Sequence, residues 1–141
     1  MGESPYECAL RELREETGLQ ARKLYFRGLV SLAPESSLPQ DWQWLMFLYA
    51  TDDFSGDLRG DEREGTLRWM SIAEAVQLPM PQADRVFFQH VTDLPQSFYQ
   101  AKFVYDAEQR LVQVIEQPVP SPCSAGKALQ GEEDKSRVIW T

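Results

Sequence analysis

Apolar positions recur along the chain in two periods. Tyr6, Leu10, Leu13 and Thr17 fall three or four apart, the spacing of one helix face. Ser4 is a good N-cap, Pro5 suits the first helical position, and Glu7 stands three residues after Ser4, which together make a capping box with proline at N1. Gly18 supplies a left-handed stop. The pattern predicts a helix over residues 5–17, its apolar stripe facing the core. Residues 24–32 (LYFRGLVSL) are aromatic and β-branched and predict a strand, and 42–51 (WQWLMFLYAT) predict a second, apolar enough to be buried. Between them 33–41 carries Pro34 and Pro39 and reads as a loop, while the Gly- and Asp-rich 52–64 reads as a long acidic loop. Residues 67–72 predict a short strand, and Ser71 with Glu74 a second capping box for a brief helix through residue 78. A helix is expected over 81–94, then a hairpin of strands 98–105 and 111–116 joined by 106–110.

From Gln117 onward this patterning stops. Pro118, Pro120, Pro122 and Gly126 break structure and 131–135 is charged, so 118–141 is expected to be a disordered tail with a mobile end at Val138-Ile139-Trp140. The order helix, three strands, two helices, hairpin points to one mixed α/β domain over 1–117. With 43% hydrophobic residues, the 141-residue chain can build a core. A net charge of −8 argues against a nucleic-acid polymer as partner, which needs a basic surface, but not against a small nucleotide. Cys8 and Cys123 form neither a metal spacing nor a disulfide framework, no apolar run approaches 18 residues, and no charged-then-apolar leader opens the chain. A cytoplasmic protein without a membrane partner is the expectation.

The predicted first helix carries the candidate chemistry. At ~100° per residue, Glu12, Glu15 and Glu16 fall within an arc of roughly 100°, with Leu10 nearly opposite Glu12. Like charges at these spacings repel, and the C-terminal half of a helix disfavours negative charge. Arg11 offsets part of this by pairing with Glu15 at i+4, and a divalent cation would offset more. Oxygen ligands without His or Cys favour Mg²⁺ or Mn²⁺ over zinc.

The run from Glu3 through Arg11-Glu12-Leu13-Arg14-Glu15-Glu16-Thr17-Gly18-Leu19 resembles the Nudix box, in which a Gly, five residues, a Glu and seven residues precede Arg-Glu-apolar-x-Glu-Glu-x-Gly-apolar. The box covers residues 3–19 and a looser likeness runs to about Glu116. The resemblance implies a Nudix-type α/β/α sandwich with a mixed central sheet. The opening Gly of the pattern would fall before Met1, so the chain is expected to lack the first strands of that fold. Those strands would need replacing, which leaves a homodimer open. The implied activity is Mg²⁺-dependent hydrolysis of a nucleoside diphosphate linked to another moiety. Glu12, Glu15 and Glu16 match the metal-binding and catalytic glutamates, Glu3 a supporting glutamate, and Arg11 an arginine that orients a helix glutamate. A further acid from a loop often completes such a site. Asp61, Glu62 and Glu64 are the candidates, and Glu64, closest before Trp69, is the choice.

Residues 64–69, 78–80, 84–88 and 102–106 resemble the MutT-type 8-oxo-dGTP diphosphatase branch, whose products are a nucleoside monophosphate and pyrophosphate. Aromatics at the spacing of Trp69, Phe87 and Phe88 more often pack in a core, and Trp69 and Phe87 are the candidates to stack on the purine. ADP-ribose or another nucleotide is the alternative substrate, and an inactive Nudix-derived protein the alternative to an enzyme. The single histidine, His90, is read as a packing or surface residue.

Overall fold

The signals around Ser4 and Gly18 delimit the first helix. In the computed structural model, which describes residues 2–59, 66–93, 98–118 and 137–138, it spans Pro5–Thr17. Ser4 Oγ accepts from the Glu7 N–H at 3.2 Å and the Glu7 carboxylate accepts from the Ser4 N–H at 2.8 Å. Gly18 caps the far end at φ 77°, its N–H donating to the Arg14 carbonyl. In chain order the elements are α1 (Pro5–Thr17), β1 (Gln20–Ala21), β2 (Tyr25–Pro34), β3 (Trp44–Ala50), β4 (Phe54–Ser55), β5 (Met70–Ser71), α2 (Ile72–Ala75), α3 (Gln82–Asp93), β6 (Tyr99–Tyr105), β7 (Leu111–Glu116) and β8 (Arg137–Val138).

Their contacts divide the chain into two compact units. One takes in Met1–Tyr25, Tyr49–Pro79 and Lys135–Thr141, the other Phe26–Leu48 and Met80–Asp134. The second unit holds most of a four-stranded sheet in the order β3-β2-β6-β7. β6 runs parallel to β2 and antiparallel to β7, so the sheet is mixed as expected. Along β6, Tyr99, Ala101 and Phe103 point inward and Gln100 and Lys102 outward, the two-residue period of a strand. They form a cluster with Val30 and Leu48 in which Val30 and Phe103 are wholly buried. Ala83, Val86, Phe87 and Val91 of α3 pack against it. Gly28 stands opposite Tyr99, and a Cβ there would lie 2.6 Å from the Tyr99 carbonyl oxygen, so β2 approaches β6 this closely only through a glycine.

In the first unit β1 pairs antiparallel with β4, Gln20 opposite Ser55 and Ala21 opposite Phe54. Two-residue strands are too short to show a period, which is why the sequence reads 52–64 as loop throughout. Residues 67–72 yield only the two-residue β5, because Ser71 leaves the strand to cap α2, its Oγ accepting from Glu74 N–H at 3.2 Å. Turns carry the chain on to Leu78. Arg137 and Val138 were expected in a structureless tail, and instead pair with Ser71 and Met70.

β3 corrects a further expectation. It is an edge strand, with Trp44 70% and Leu45 56% exposed and only Leu48 buried. Hydrophobicity marks 42–51 as a strand but does not give its place in a sheet, and an edge strand has a neighbour on one side only. Phe26, itself exposed, stacks with Phe47 at 5.9 Å and meets Phe98 edge-on at 5.0 Å.

Candidate active site

Helix α1 presents the acidic face, and Arg11 is its hub. Arg11 Nε donates to both oxygens of Glu3 at 3.0 and 3.1 Å. Nη1 donates to Glu15 at 2.9 Å, the expected i+4 pair, and lies 2.7 Å from the Glu12 carboxylate. Nη2 reaches Cys8 Sγ at 3.6 Å. These acids, Glu3 foremost and then Glu12, hold the guanidinium well above its ordinary pKa. The side chains are 40–59% exposed, so each pair is screened by water and individually weak. Among the described residues Glu16 has no ion pair.

The apolar stripe of α1 is less buried than its spacing implies. Thr17 is 1% exposed, whereas Tyr6 is exposed and Leu10 and Leu13 are half-buried. The Tyr6 hydroxyl accepts from Leu24 N–H at 3.3 Å and its ring meets Tyr49 edge-on at 6.1 Å. Leu10 lines an open groove of about 640 Å³ together with Glu7, Arg11, Arg14, Glu15, Gln20 and Ala21. The anchored end of the helix is its C-terminus. Thr17 Oγ1 donates to the Leu13 carbonyl and accepts from Leu19 N–H at 3.1 Å, while Arg59 N–H donates to the Thr17 carbonyl at 2.6 Å. A Cβ on Gly18 would meet the Asp57 carbonyl at 3.0 Å. This docking of 57–59 on the helix end joins segments some forty residues apart in the sequence, beyond the reach of local patterning. Gly18 is its only signal, since a left-handed stop is also where a neighbouring backbone can come close.

Among the described residues, no three Asp, Glu, His or Cys side chains stand close enough to hold a metal ion. The donor set nonetheless fits a hard divalent cation, being carboxylate oxygen throughout and half-exposed. Glu12 and Glu15 both contact the Arg11 Nη1. Glu64, with Asp61 and Glu62, lies outside the described residues.

The two aromatic candidates part company. Trp69 is 37% exposed and stacks on Phe54, centroids 5.3 Å apart and planes 21° from parallel. Phe87 is partly buried and packs against the sheet cluster, the core role the sequence also allows it. The cause is its position on the apolar face of α3 beside Ala83, Val86 and Val91. His90 stacks on Tyr99 at 4.3 Å with Nε2 3.3 Å from Glu116, in keeping with a packing role.

A helix that gathers carboxylates on one face, with an arginine among them and neither nitrogen nor sulfur ligands, has the equipment of a metal-assisted hydrolase. The NUDIX domain model matches residues 1–91, and the chain belongs to the Nudix hydrolase family, whose members hydrolyse a nucleoside diphosphate linked to another moiety. It is 27% identical over 114 residues to the uncharacterized Nudix hydrolase YvcI of Bacillus subtilis (strain 168), covering 79% of this chain and 70% of that one. It is 32% identical over 81 residues to the asymmetrical bis(5′-nucleosyl)-tetraphosphatase of Mus musculus, covering 55% of this chain and 53% of that enzyme, about half its length. The fold is similar to the crystal structure of the Mutator MutT protein from Bacillus halodurans, with a TM-score of 0.74 and 27% identity over 84% of this chain and 77% of that one. No helix among the described residues is long and apolar enough to cross a membrane.

Proposed function

We propose that the protein hydrolyses an oxidised purine nucleoside triphosphate of the 8-oxo-dGTP kind to the monophosphate and pyrophosphate, with Mg²⁺ as its cofactor. The observation that carries the reading is the acidic face of α1, whose Glu12, Glu15 and Glu16 would hold the cation. When bound, a divalent cation supplies charge neutralisation on the diphosphate and a water of lowered pKa. The chain's own contribution is to hold those carboxylates on a capped, rigid turn, so that little reorganisation is left for the reaction itself. Glu64 is proposed as the carboxylate that, as general base, takes the proton from the attacking water. Trp69, exposed and backed by Phe54, is proposed as the stacking surface for the base.

The likeness to a MutT structure supports the triphosphate substrate. The mouse relative favours a second reading, a bis(5′-nucleosyl) tetraphosphate. A panel of 8-oxo-dGTP, dGTP, ADP-ribose and a bis(5′-nucleosyl) tetraphosphate, incubated with Mg²⁺ and followed by chromatographic separation of the nucleotide products together with pyrophosphate release, separates them. Pyrophosphate release fastest from 8-oxo-dGTP is the expected result. Preference for the tetraphosphate or ADP-ribose would refute the choice of substrate, and silence on all four would refute the activity.

A further inference from the structure

An arginine side chain has five N–H donors in a fixed plane. In Arg11, Nε serves Glu3, Nη1 lies between Glu12 and Glu15, and Nη2 points to Cys8. One cation thus contacts three carboxylates, two of which are the proposed metal ligands, while Glu16 has no ion pair among the described residues. Nη1 holds one oxygen of Glu12 and one of Glu15, and a divalent ion on the same two carboxylates would stand beside that guanidinium, where two cations sharing one pair of carboxylates repel. The Glu3 contact differs from the other two. Glu3 precedes the helix, meets a different nitrogen, and touches it with both oxygens.

We infer that Arg11 is a built-in counterion that competes with the divalent cation for Glu12 and Glu15, and that metal binding turns Nη1 away from them while Nε stays on Glu3. The inference rests on the reading of Glu12 and Glu15 as metal ligands. It gives Arg11 a role in setting metal affinity: without metal it relieves the repulsion on the helix face, and with metal it steps back. Glu3 is then the partner that retains the guanidinium after exchange. The 40–59% exposure of all four side chains leaves the exchange open to solvent.

The test is Mn²⁺ affinity of the full chain by electron paramagnetic resonance, for the wild type, Arg11→Gln and Glu3→Gln, each checked for folding by circular dichroism. Competition predicts opposite signs. Arg11→Gln binds Mn²⁺ about three- to tenfold more tightly, because two exposed pairs no longer have to be broken. Glu3→Gln binds more weakly, because Arg11 is left with Glu12 and Glu15 alone. A purely structural arginine would weaken binding in both variants, and a folded Arg11→Gln that binds no more tightly than the wild type overturns the inference. Should that variant fail to fold, the Arg11 Nη–H resonances of the wild type decide: they shift as Mg²⁺ is added, and Nη–H resonances unmoved at saturating Mg²⁺ overturn the inference. Absence of Mn²⁺ binding in every folded chain removes the metal reading and this inference with it. Tighter binding in Arg11→Gln beside silence on all nucleotides would leave this inference standing while the proposed activity falls.

Discussion

The sheet cluster and helix α1 are held by different forces. Val30 and Phe103 are wholly buried among Leu48, Tyr99 and Ala101, in a cluster of apolar side chains with one tyrosine hydroxyl. Helix α1 fully buries a single residue, Thr17, with Leu10 and Leu13 half-buried, and is otherwise held by its caps, by hydrogen bonds at Tyr6 and Thr17 and by ion pairs open to water. Burial of apolar area is strong and little affected by dilute ions, whereas exposed pairs are weak, screened by salt and exchangeable. The region that supplies stability is therefore poorly suited to bind and release an ion, and the region with the carboxylates can do so at small cost to the fold.

Phe103→Ala puts the largest strain on this contrast. Removing a fully buried ring should cost about 3–5 kcal/mol, seen as a large drop in the melting temperature, with turnover retained wherever the variant is still folded. Loss of turnover in the folded variant would break the separation. Thr17→Val comes next, because Thr17 joins the helix to buried surroundings. It leaves the N–H of buried Leu19 without its partner and should cost about 1–3 kcal/mol by denaturant melting. A cost near zero would mean that the hydroxyl is not what anchors this end of the helix.

The smallest effect lies at the other end of α1. The Ser4 backbone N–H, and then its hydroxyl, hold the Glu7 carboxyl below its ordinary pKa of 4.5. A depressed carboxyl stabilises the fold above the unfolded pKa, and the stabilisation is lost as pH falls through the lowered folded value. The melting difference between wild type and Glu7→Gln should be present at pH 7 and close on acidification below about 4.5. A pH-independent difference would show that the box works here through hydrogen-bond shape alone.

The same contrast explains what the sequence could disclose. The bounds of α1 were legible because its determinants are local: Ser4, Pro5, Glu7 and Gly18 act within a turn of where they stand. The Arg11–Glu15 pair was legible for the same reason, and the paired contacts of Glu3 and Glu12 with Arg11 complete it. β6 and β7 were legible because alternation and the turn at Asp106 both mark a hairpin. Its carboxylate accepts from the Glu108 and Arg110 N–H groups at 3.0 and 2.9 Å. The edge position of β3 was not, since Trp44 and Leu45 carry the same hydropathy inside or outside a sheet. The role of Phe87 was not legible either, because an aromatic on an apolar helix face suits a core and a purine equally well. β1 and β4 depend on one another across the chain, from Gln20 to Ser55, and neither announces itself alone.

The account's central claim is that the acidic face of α1 does the chemistry while contributing little to stability. Glu16→Gln tests it most directly, since Glu16 has no ion pair among the described residues and its charge has no structural duty there. Mg²⁺-dependent turnover and thermal melting would be measured side by side on the wild type and the variant. Turnover should fall by about a hundredfold or more, with the melting temperature unchanged or slightly raised by the relief of repulsion with Glu12. Unchanged turnover in a folded variant would contradict it.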